Sequence, residues 1–216
     1  MIKSKIRVSR TGRYYLSAAP SSHIDEVWFV CHGYGQLAEY FIRNFQGLQK
    51  ENVLVVAPEG LNRFYLNGFS GRVAASWMTK EDRLDEINDY VQFLDDVYTE
   101  VISQLHNKDL KISFFSQGTA TVSRWFCQGQ AKAENLVLWA GALPADQTKE
   151  DVEKLKGVKL YLVAGDNDPF ITEDALQREL SLLHEKELEY DLIRFGGKHE
   201  IDPEALQVLA AKLRSV

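Results

Sequence analysis

Ser116, Asp168 and His199 are three side chains that together can turn a hydroxyl group into a nucleophile. Ser116 comes directly after ISFF, Asp168 lies in the turn after LYLVA, and His199 lies in the turn after LIRF. A histidine can take the proton of an attacking serine, and a carboxylate can orient the histidine and stabilise its charged form. The three residue types therefore predict covalent catalysis by a serine.

Each of these residues also has an ordinary structural explanation. A serine before a helix is a common N-cap, an aspartate beside asparagine and proline favours a turn, and a lone surface histidine is more often inert. The order along the chain, however, is serine, acid, histidine, which is the order in α/β-hydrolases and not in the other serine-protease folds. We therefore favour the catalytic interpretation of the set.

A fourth candidate is the sequence HGYGQ, residues 32–36, which directly follows the apolar segment VWFVC. Two glycines two positions apart allow a loop whose backbone N–H groups point outward, although a tight turn without function has the same signature. In open α/β sheets the binding site lies beyond the carboxyl ends of the strands. All four candidates follow such predicted strands.

The elements that must position these residues are short apolar segments that alternate with amphipathic ones. Strands are predicted at 27–31, 53–57, 112–115, 136–140, 160–164 and 192–195, and helices at 37–49, 81–105, 117–128, 173–183 and 203–213. All the strands but the last are nearly continuous in apolar residues, which is typical of burial on both faces of a parallel sheet. We also expect a hairpin over 6–16 at the sheet edge and a helix cap at Thr79. This alternation predicts an α/β fold with a doubly wound sheet in one domain, residues 1–216.

The composition excludes several classes of function. The chain has 216 residues with 45% hydrophobic residues and a formal net charge of −6, and it contains no basic cluster of the kind that binds nucleic acid. Its two cysteines form neither a disulfide framework nor a zinc pattern, so a reducing, cytoplasmic location is expected. No signal peptide and no membrane-spanning segment is predicted.

Six stretches carry a resemblance to a known family: VWFVCHGYGQ, VVAPEG, ASWM, ISFFSQGTA, LVAGDNDPFIT and GGKHEI. Through them the sequence resembles the α/β-hydrolase superfamily, and within it the phospholipase/carboxylesterase (acyl-protein thioesterase-like) group of predicted esterases. The resemblance implies an α/β-hydrolase fold, with a mostly parallel central sheet, helices on both faces and no large lid domain. It also implies that Ser116 is the nucleophile, Asp168 the acid and His199 the base, with an oxyanion hole from the backbone N–H groups of Tyr34 and Gln117.

Two residues compete for these roles. Asp166 rivals Asp168 as the acid, and we favour Asp168 because Gly165-x-x-Asp168-Pro169 matches the turn of the family. His32 is a rival base, but its place directly after a strand favours a structural role, in which it holds the predicted oxyanion loop by hydrogen bonds.

Three positions depart from the family pattern. Phe114 replaces the first glycine of Gly-x-Ser-x-Gly, Thr119 replaces a glycine after Gly118, and Lys198 stands before the base where the family usually has glycine. The Phe114 ring must be housed by neighbours, and we expect small ones, Thr119 and Ala120.

The substrate site is expected beside the segment 59–78, which lacks clear periodicity and is predicted to be a long functional loop. Tyr34, Trp77 and Phe170 are expected to form an apolar wall for an acyl group, whereas Phe64 and Phe69 equally well cap the core. The predicted partner is a small or single-chain acyl ester or thioester, and a homodimer stays open. Neither a metal nor an organic cofactor is needed. The alternative is a non-catalytic α/β-hydrolase-fold protein that binds a ligand or serves as a scaffold.

Overall fold

The computed structural model describes residues 1–48, 50, 52–107, 109–117 and 120–215. Its strands are β1 (Tyr14–Leu16), β2 (Glu26–Cys31), β3 (Val53–Pro58), β4 (Asn62–Tyr65), β5 (Val73–Ser76), β6 (Lys111–Gln117), β7 (Asn135–Trp139), β8 (Lys159–Gly165) and β9 (Tyr190–Phe195). Seven of them form one sheet in the order β1-β3-β2-β6-β7-β8-β9, and β4 pairs with β5. Only the edge strand β1 runs antiparallel within the large sheet, so the predicted mostly parallel sheet is confirmed.

Helices cover both faces of this sheet. They are α1 (Ala38–Phe41), which continues as a 3₁₀ helix (Ile42–Leu48), α2 (Arg83–Ser103), α3 (Thr121–Gln128), α4 (Lys149–Leu155), α5 (Glu173–Glu185) and α6 (Pro203–Arg214). Apolar residues of α2 to α5 pack on one face of the sheet, and those of α1, the 3₁₀ helix and α6 pack on the other. The central strands are buried along nearly their whole length, as their continuous apolar sequence predicts.

Several predicted boundaries were wrong for identifiable reasons. The hairpin expected over 6–16 does not form: of this segment only β1 pairs with the sheet, and the side chains of Lys3 and Lys5 before it bond acids at the start of α2. Thr79 does not cap α2, since its N–H and hydroxyl both donate to the carboxylate of Glu86 and the helix begins four residues later. The helix expected from 117 begins at Thr121, because β6 continues through Gln117.

The segment 59–78 is not the structureless loop expected from its lack of periodicity. It contains the hairpin β4–β5, whose strands are each only four residues long and thus give little alternation to read. Gly68 and Gly71, in the connection between the two strands, have φ of 72° and 89°, a conformation that favours glycine. Helix α4 was not predicted, although Thr148 and Asp151 form a reciprocal capping box at its start.

Phe114 lies at the centre of an aromatic cluster between the sheet and α3. Its ring stacks on Trp125 with centroids 3.8 Å apart and 11° between the planes, and it meets Phe29 edge-on at 5.9 Å. Both Phe114 and Trp125 are fully buried. The ring packs against large aromatic rings, and Thr119, one of the two small neighbours expected around it, lies outside the described residues. Helix α3 therefore contacts the strand through stacked rings at the position where the family has glycine.

The two cysteines lie in the core. Cys31 and Cys127 are both buried, with no disulfide between them, and burial raises the pKa of the Cys31 thiol and raises that of Cys127 to about 12. Among the described helices, none has both the length and the apolar character that crossing a membrane requires.

We expect Phe114→Ala to lower the free energy of unfolding by about 3–5 kcal/mol, because it leaves a cavity among fully buried rings. Equilibrium unfolding in urea measures this change. Phe69→Ala is the matched control, since Phe69 is 98% exposed, and it should change stability by no more than about 0.5 kcal/mol. Equal effects of the two substitutions would contradict the packing described for Phe114.

Candidate active site

Asp168 and His199 are in direct contact at the carboxyl edge of the sheet, in the loops that follow β8 and β9. The Nδ1 atom of His199 lies 2.8 Å from Oδ2 of Asp168. Oδ1 of Asp168 accepts hydrogen bonds from the backbone N–H groups of Phe170 and Ile171, at 2.8 and 3.0 Å. Because the carboxylate can only accept, Nδ1 carries the proton, and Nε2 of the imidazole is left as a base.

The two loops that carry this pair are joined backbone to backbone. The N–H of Asp166 donates to the carbonyl of Phe195, and the N–H of Asn167 donates to that of Gly197, both at 2.9 Å. Gly165 makes this approach possible, because a Cβ atom at this position would lie 2.6 Å from the carbonyl oxygens of Gly197 and Lys198. Asp168 and His199 are thus fixed relative to one another by main-chain contacts.

Asp166, the rival acid, points elsewhere. Its carboxylate lies 2.7 Å from the guanidinium of Arg194 and is about half exposed. The side chain of Asp168, by contrast, is fully buried, and that of His199 is one quarter exposed. Of the two aspartates, Asp168 is the one that meets the histidine.

Ser116 lies near the end of β6, between Cys31 of β2 and Leu138 of β7. It is fully buried, and its backbone is extended: among the described residues, the non-glycine residues with positive φ are Asp82, Ala140 and Glu187. No hydrogen bond between described residues joins Ser116 to the Asp168–His199 pair, although Ser116 has an interaction of its own. Gly118, expected to let the following helix pass close to the strand, lies outside the described residues.

The loop after β2, residues 32–36, is held on several sides. The N–H of Gly35 donates to the carbonyl of Ala75 and the N–H of Ala75 donates to the carbonyl of Gln36, both at 3.0 Å, so the hairpin β4–β5 extends along this loop. Leu66 packs close to Gly35: a Cβ atom added to this glycine would lie 3.6 Å from the side chain of Leu66. Tyr34, whose N–H was assigned to the oxyanion hole, lies between these contacts.

His32 is a structural residue at the base of that loop. It is fully buried; its Nδ1 lies 2.8 Å from the carbonyl of Gly33, and its Nε2 accepts a hydrogen bond from the N–H of Gly60 at 2.9 Å. Trp77 donates its indole N–H to the carbonyl of His32 at 2.8 Å. Both ring nitrogens are occupied, and burial lowers the pKa of the imidazole, so His32 stays neutral and is not available as a base.

The side chains of two glutamines and a tryptophan connect the loops of the site, through contacts that the sequence reasoning missed. Gln36 and Gln117 bond each other through their side-chain amides, and Gln117 also donates to the carbonyl of His199. Trp139 at the end of β7 donates its indole N–H to the carbonyl of Glu200 at 2.7 Å, directly after the base. The apolar ends of these strands predict burial, but no pattern in the sequence identifies these side-chain partners.

The three aromatic residues expected around a substrate take different places. Tyr34 and Phe170 are exposed, at 69% and 72%, and the ring of Phe170 meets that of His199 edge-on at 5.0 Å. Trp77 is only 3% exposed and lies in the core against His32, so it supports the loop from below and does not form a wall. Phe64 packs against Tyr34 with centroids 5.5 Å apart.

Solved structures of hydrolases share this fold over nearly the whole chain. Acyl-protein thioesterase 2 of Zea mays is 14% identical, with a TM-score of 0.71, over 95% of this chain and 99% of that chain. A carboxylesterase from Mesorhizobium loti is 19% identical (TM-score 0.69; 93% and 94% covered), and esterase PE8 is 20% identical (TM-score 0.67; 97% and 100% covered). No protein-family model matches the sequence, and no curated protein matches it. The chain therefore has the α/β-hydrolase fold, and the expected resemblance is confirmed at that level.

We expect Gly165→Ala to push the loop of His199 away from that of Asp168, because the new methyl group would meet backbone oxygens that cannot rotate aside. The free energy of unfolding should fall by about 1–3 kcal/mol. Gly196→Ala is the matched control, since a Cβ there has nothing within 4 Å. A tolerated Gly165→Ala, with stability unchanged in urea unfolding, would contradict the close approach.

Protonation of His32 should cost stability at mildly acidic pH. Burial lowers the pKa of the folded state below the ordinary value of 6.5, so below about pH 6.5 the unfolded chain takes up a proton that the folded chain does not. The contribution of His32 is therefore present above that pH and is lost as the pH falls towards the lowered pKa. Urea unfolding between pH 7 and 5.5 measures the slope, which should be smaller in His32→Gln; an unchanged slope would contradict this assignment.

Proposed function

We propose that this chain is a serine hydrolase that cleaves small or single-chain acyl esters or thioesters through an acyl-enzyme intermediate. The observation that carries the proposal is the contact of 2.8 Å between Asp168 and His199 at the carboxyl edge of an α/β-hydrolase sheet. A buried carboxylate held by two backbone N–H groups, bonded to a partly exposed imidazole, is the acid–base half of a catalytic triad.

In the first half of the proposed reaction, Oγ of Ser116 attacks the carbonyl carbon of the substrate while Nε2 of His199 takes the hydroxyl proton. Asp168 accepts the hydrogen bond from Nδ1 and stabilises the imidazolium that forms. When the tetrahedral intermediate collapses, the bond to the alcohol or thiol breaks, and His199 returns the proton to that leaving group. Water then attacks the acyl-serine by the same route and releases the acid.

The negative charge on the tetrahedral oxygen would be stabilised by the N–H groups of Tyr34 and Gln117. Both belong to segments that other contacts hold in place: the loop of Tyr34 by the hairpin β4–β5 and by His32, and Gln117 by its pairing with β7. Preorganised donors of this kind are typically worth a factor of ~10²–10³ in rate for each donor lost. No metal or organic cofactor enters this mechanism.

The mechanism requires Oγ of Ser116 to reach Nε2 of His199. Catalytic hydrogen bonds of this kind commonly become short when substrate binds. Tyr34 and Phe170, both largely exposed and the latter against the ring of the base, are suited to contact the acyl group. Ester and thioester substrates share this chemistry, and esterases and a thioesterase are among the proteins with the same fold.

A second candidate is a non-catalytic protein that uses the same fold to bind a ligand. The observations in its favour are the extended, fully buried backbone of Ser116 and the stack of Phe114 on Trp125. The nucleophile of an α/β-hydrolase normally stands on a sharp, strained turn with its hydroxyl exposed. Reaction of Ser116 with an electrophile separates the two candidates.

The other expectations from the sequence stay predictions. A cytoplasmic location rests on the pair of unlinked cysteines, and the single domain over residues 1–216 rests on the continuous alternation of strands and helices. A homodimer and the absence of nucleic-acid binding are likewise proposals.

A fluorophosphonate probe should label the wild-type protein on Ser116 and on no other serine, because only an activated hydroxyl attacks phosphorus. Ser116→Ala should lose both labelling and hydrolysis of short p-nitrophenyl esters, by at least a factor of about 10³, while its urea-unfolding midpoint stays close to that of wild type.

Ser70→Ala is the control variant, since Ser70 lies in the exposed connection between β4 and β5. It should label and turn over esters as the wild type does. A folded wild-type protein that the probe does not modify would overturn the hydrolase proposal in favour of the ligand-binding one.

A further inference from the structure

Three side-chain hydrogen bonds run in series through the candidate site, from one loop to the next. The N–H of Gly33 donates to Oε1 of Gln36 at 2.8 Å, and Nε2 of Gln36 donates to Oε1 of Gln117 at 3.0 Å. Nε2 of Gln117 in turn donates to the carbonyl oxygen of His199 at 3.3 Å. We call these four residues and their three bonds the amide relay.

The relay touches a residue next to each proposed catalytic group. Gly33 precedes Tyr34 of the proposed oxyanion hole, Gln117 follows Ser116, and the last bond ends on the main chain of His199. Gln117 is 2% exposed, and the main chain of Gln36 is held at both ends: its carbonyl accepts from the N–H of Ala75, and its N–H donates to the carbonyl of Gly33. Both glutamines are therefore in fixed positions from which their amides can hold other segments.

The orientation of each side-chain amide in the relay follows from the partner at its own end. An N–H group can only donate, so the atom of Gln36 that faces Gly33 must be Oε1. A carbonyl oxygen can only accept, so the atom of Gln117 that faces His199 must be Nε2. Nε2 of Gln36 then faces Oε1 of Gln117, so each of the three bonds joins a donor to an acceptor. A carboxylate at either position would put two acceptors face to face.

We propose that Gln36 and Gln117 are positioning residues that set the distance between the oxyanion loop and the catalytic base. The inference rests on the proposed function. Neither side chain reacts: each acts through the backbone that it holds, Gln36 through the loop of Tyr34 and Gln117 through the loop of His199. Misplacement of reacting groups by about 1 Å can cost a factor of about 10² in rate, so such bonds affect turnover more than they affect folding.

The alternative is that each glutamine only stabilises its own loop. The two accounts differ in what Gln36→Met does to His199, because Gln36 bonds no atom of the base loop directly. If the relay transmits position, losing Gln36 frees Gln117 and loosens the loop of the base. If Gln36 acts only locally, the base loop is unaffected.

The experiment compares Gln36→Met, Gln117→Met and the double variant with wild type and with Gln46→Met, an exposed glutamine on the 3₁₀ helix. Methionine keeps the length of the side chain but neither donates nor accepts a normal hydrogen bond. We expect backbone amide hydrogen exchange over residues 196–200 to become faster in both single variants, and to be unchanged in Gln46→Met. Gln117→Glu should behave as Gln117→Met does, since it places an acceptor against the carbonyl of His199.

For hydrolysis of p-nitrophenyl esters, each single variant should lose about tenfold in kcat with KM nearly unchanged, as for the loss of a bond that positions the transition state. The double variant should be no slower than the worse single variant, because residues in one network are not additive.

Exchange over 196–200 that stays at the wild-type rate in Gln36→Met overturns the relay, as do independent, multiplying losses of kcat. If the wild-type protein hydrolyses no ester, the proposed function fails instead, and the exchange measurement still decides whether the relay couples the loops.

Discussion

The buried carboxylate of Asp168 is the constraint on which the candidate site depends. Its oxygens are taken up by two backbone N–H groups and by the imidazole of His199, so the turn, the acid and the base cannot move independently. An unpaired carboxylate at this depth would be costly, and the hydrogen bonds that satisfy it also select the protonated nitrogen of the histidine. The same hydrogen bonds therefore stabilise this loop and orient the imidazole of His199.

The packing of β6 shows how the fold accommodates a large ring at the position where the family pattern that the sequence resembles has glycine. Phe114 fits because Trp125 offers a flat surface parallel to it, and Phe29 and Tyr98 close the sides. Several aromatic contacts replace a close approach of helix and strand. Ser116, two residues after Phe114, lies in the same extended strand. The backbone conformation of the proposed nucleophile is therefore linked to this aromatic cluster and not to Asp168 or His199.

The sequence alone predicts which residues follow the ends of strands and so lie at the same edge of the sheet. Asp168 and His199 meet because parallel strands of similar length bring their carboxyl ends to one edge, and apolar runs identify such strands well. The bond between Gln36 and Gln117 could not be predicted, since it joins side chains 81 residues apart and depends on their rotamers. Trp77 was expected in the apolar wall of a substrate site because its segment has no clear periodicity, whereas it lies in the core directly after β5.

The strands of the hairpin β4–β5 and the turn that connects them have different surroundings. Strand β5 bonds the loop 32–36 through main-chain atoms, which any sequence supplies, while the tip of the connecting turn has two glycines in open space and Phe69 in solvent. Insertions or exchanges at that tip can therefore accumulate during evolution without disturbing the backbone of the loop 32–36.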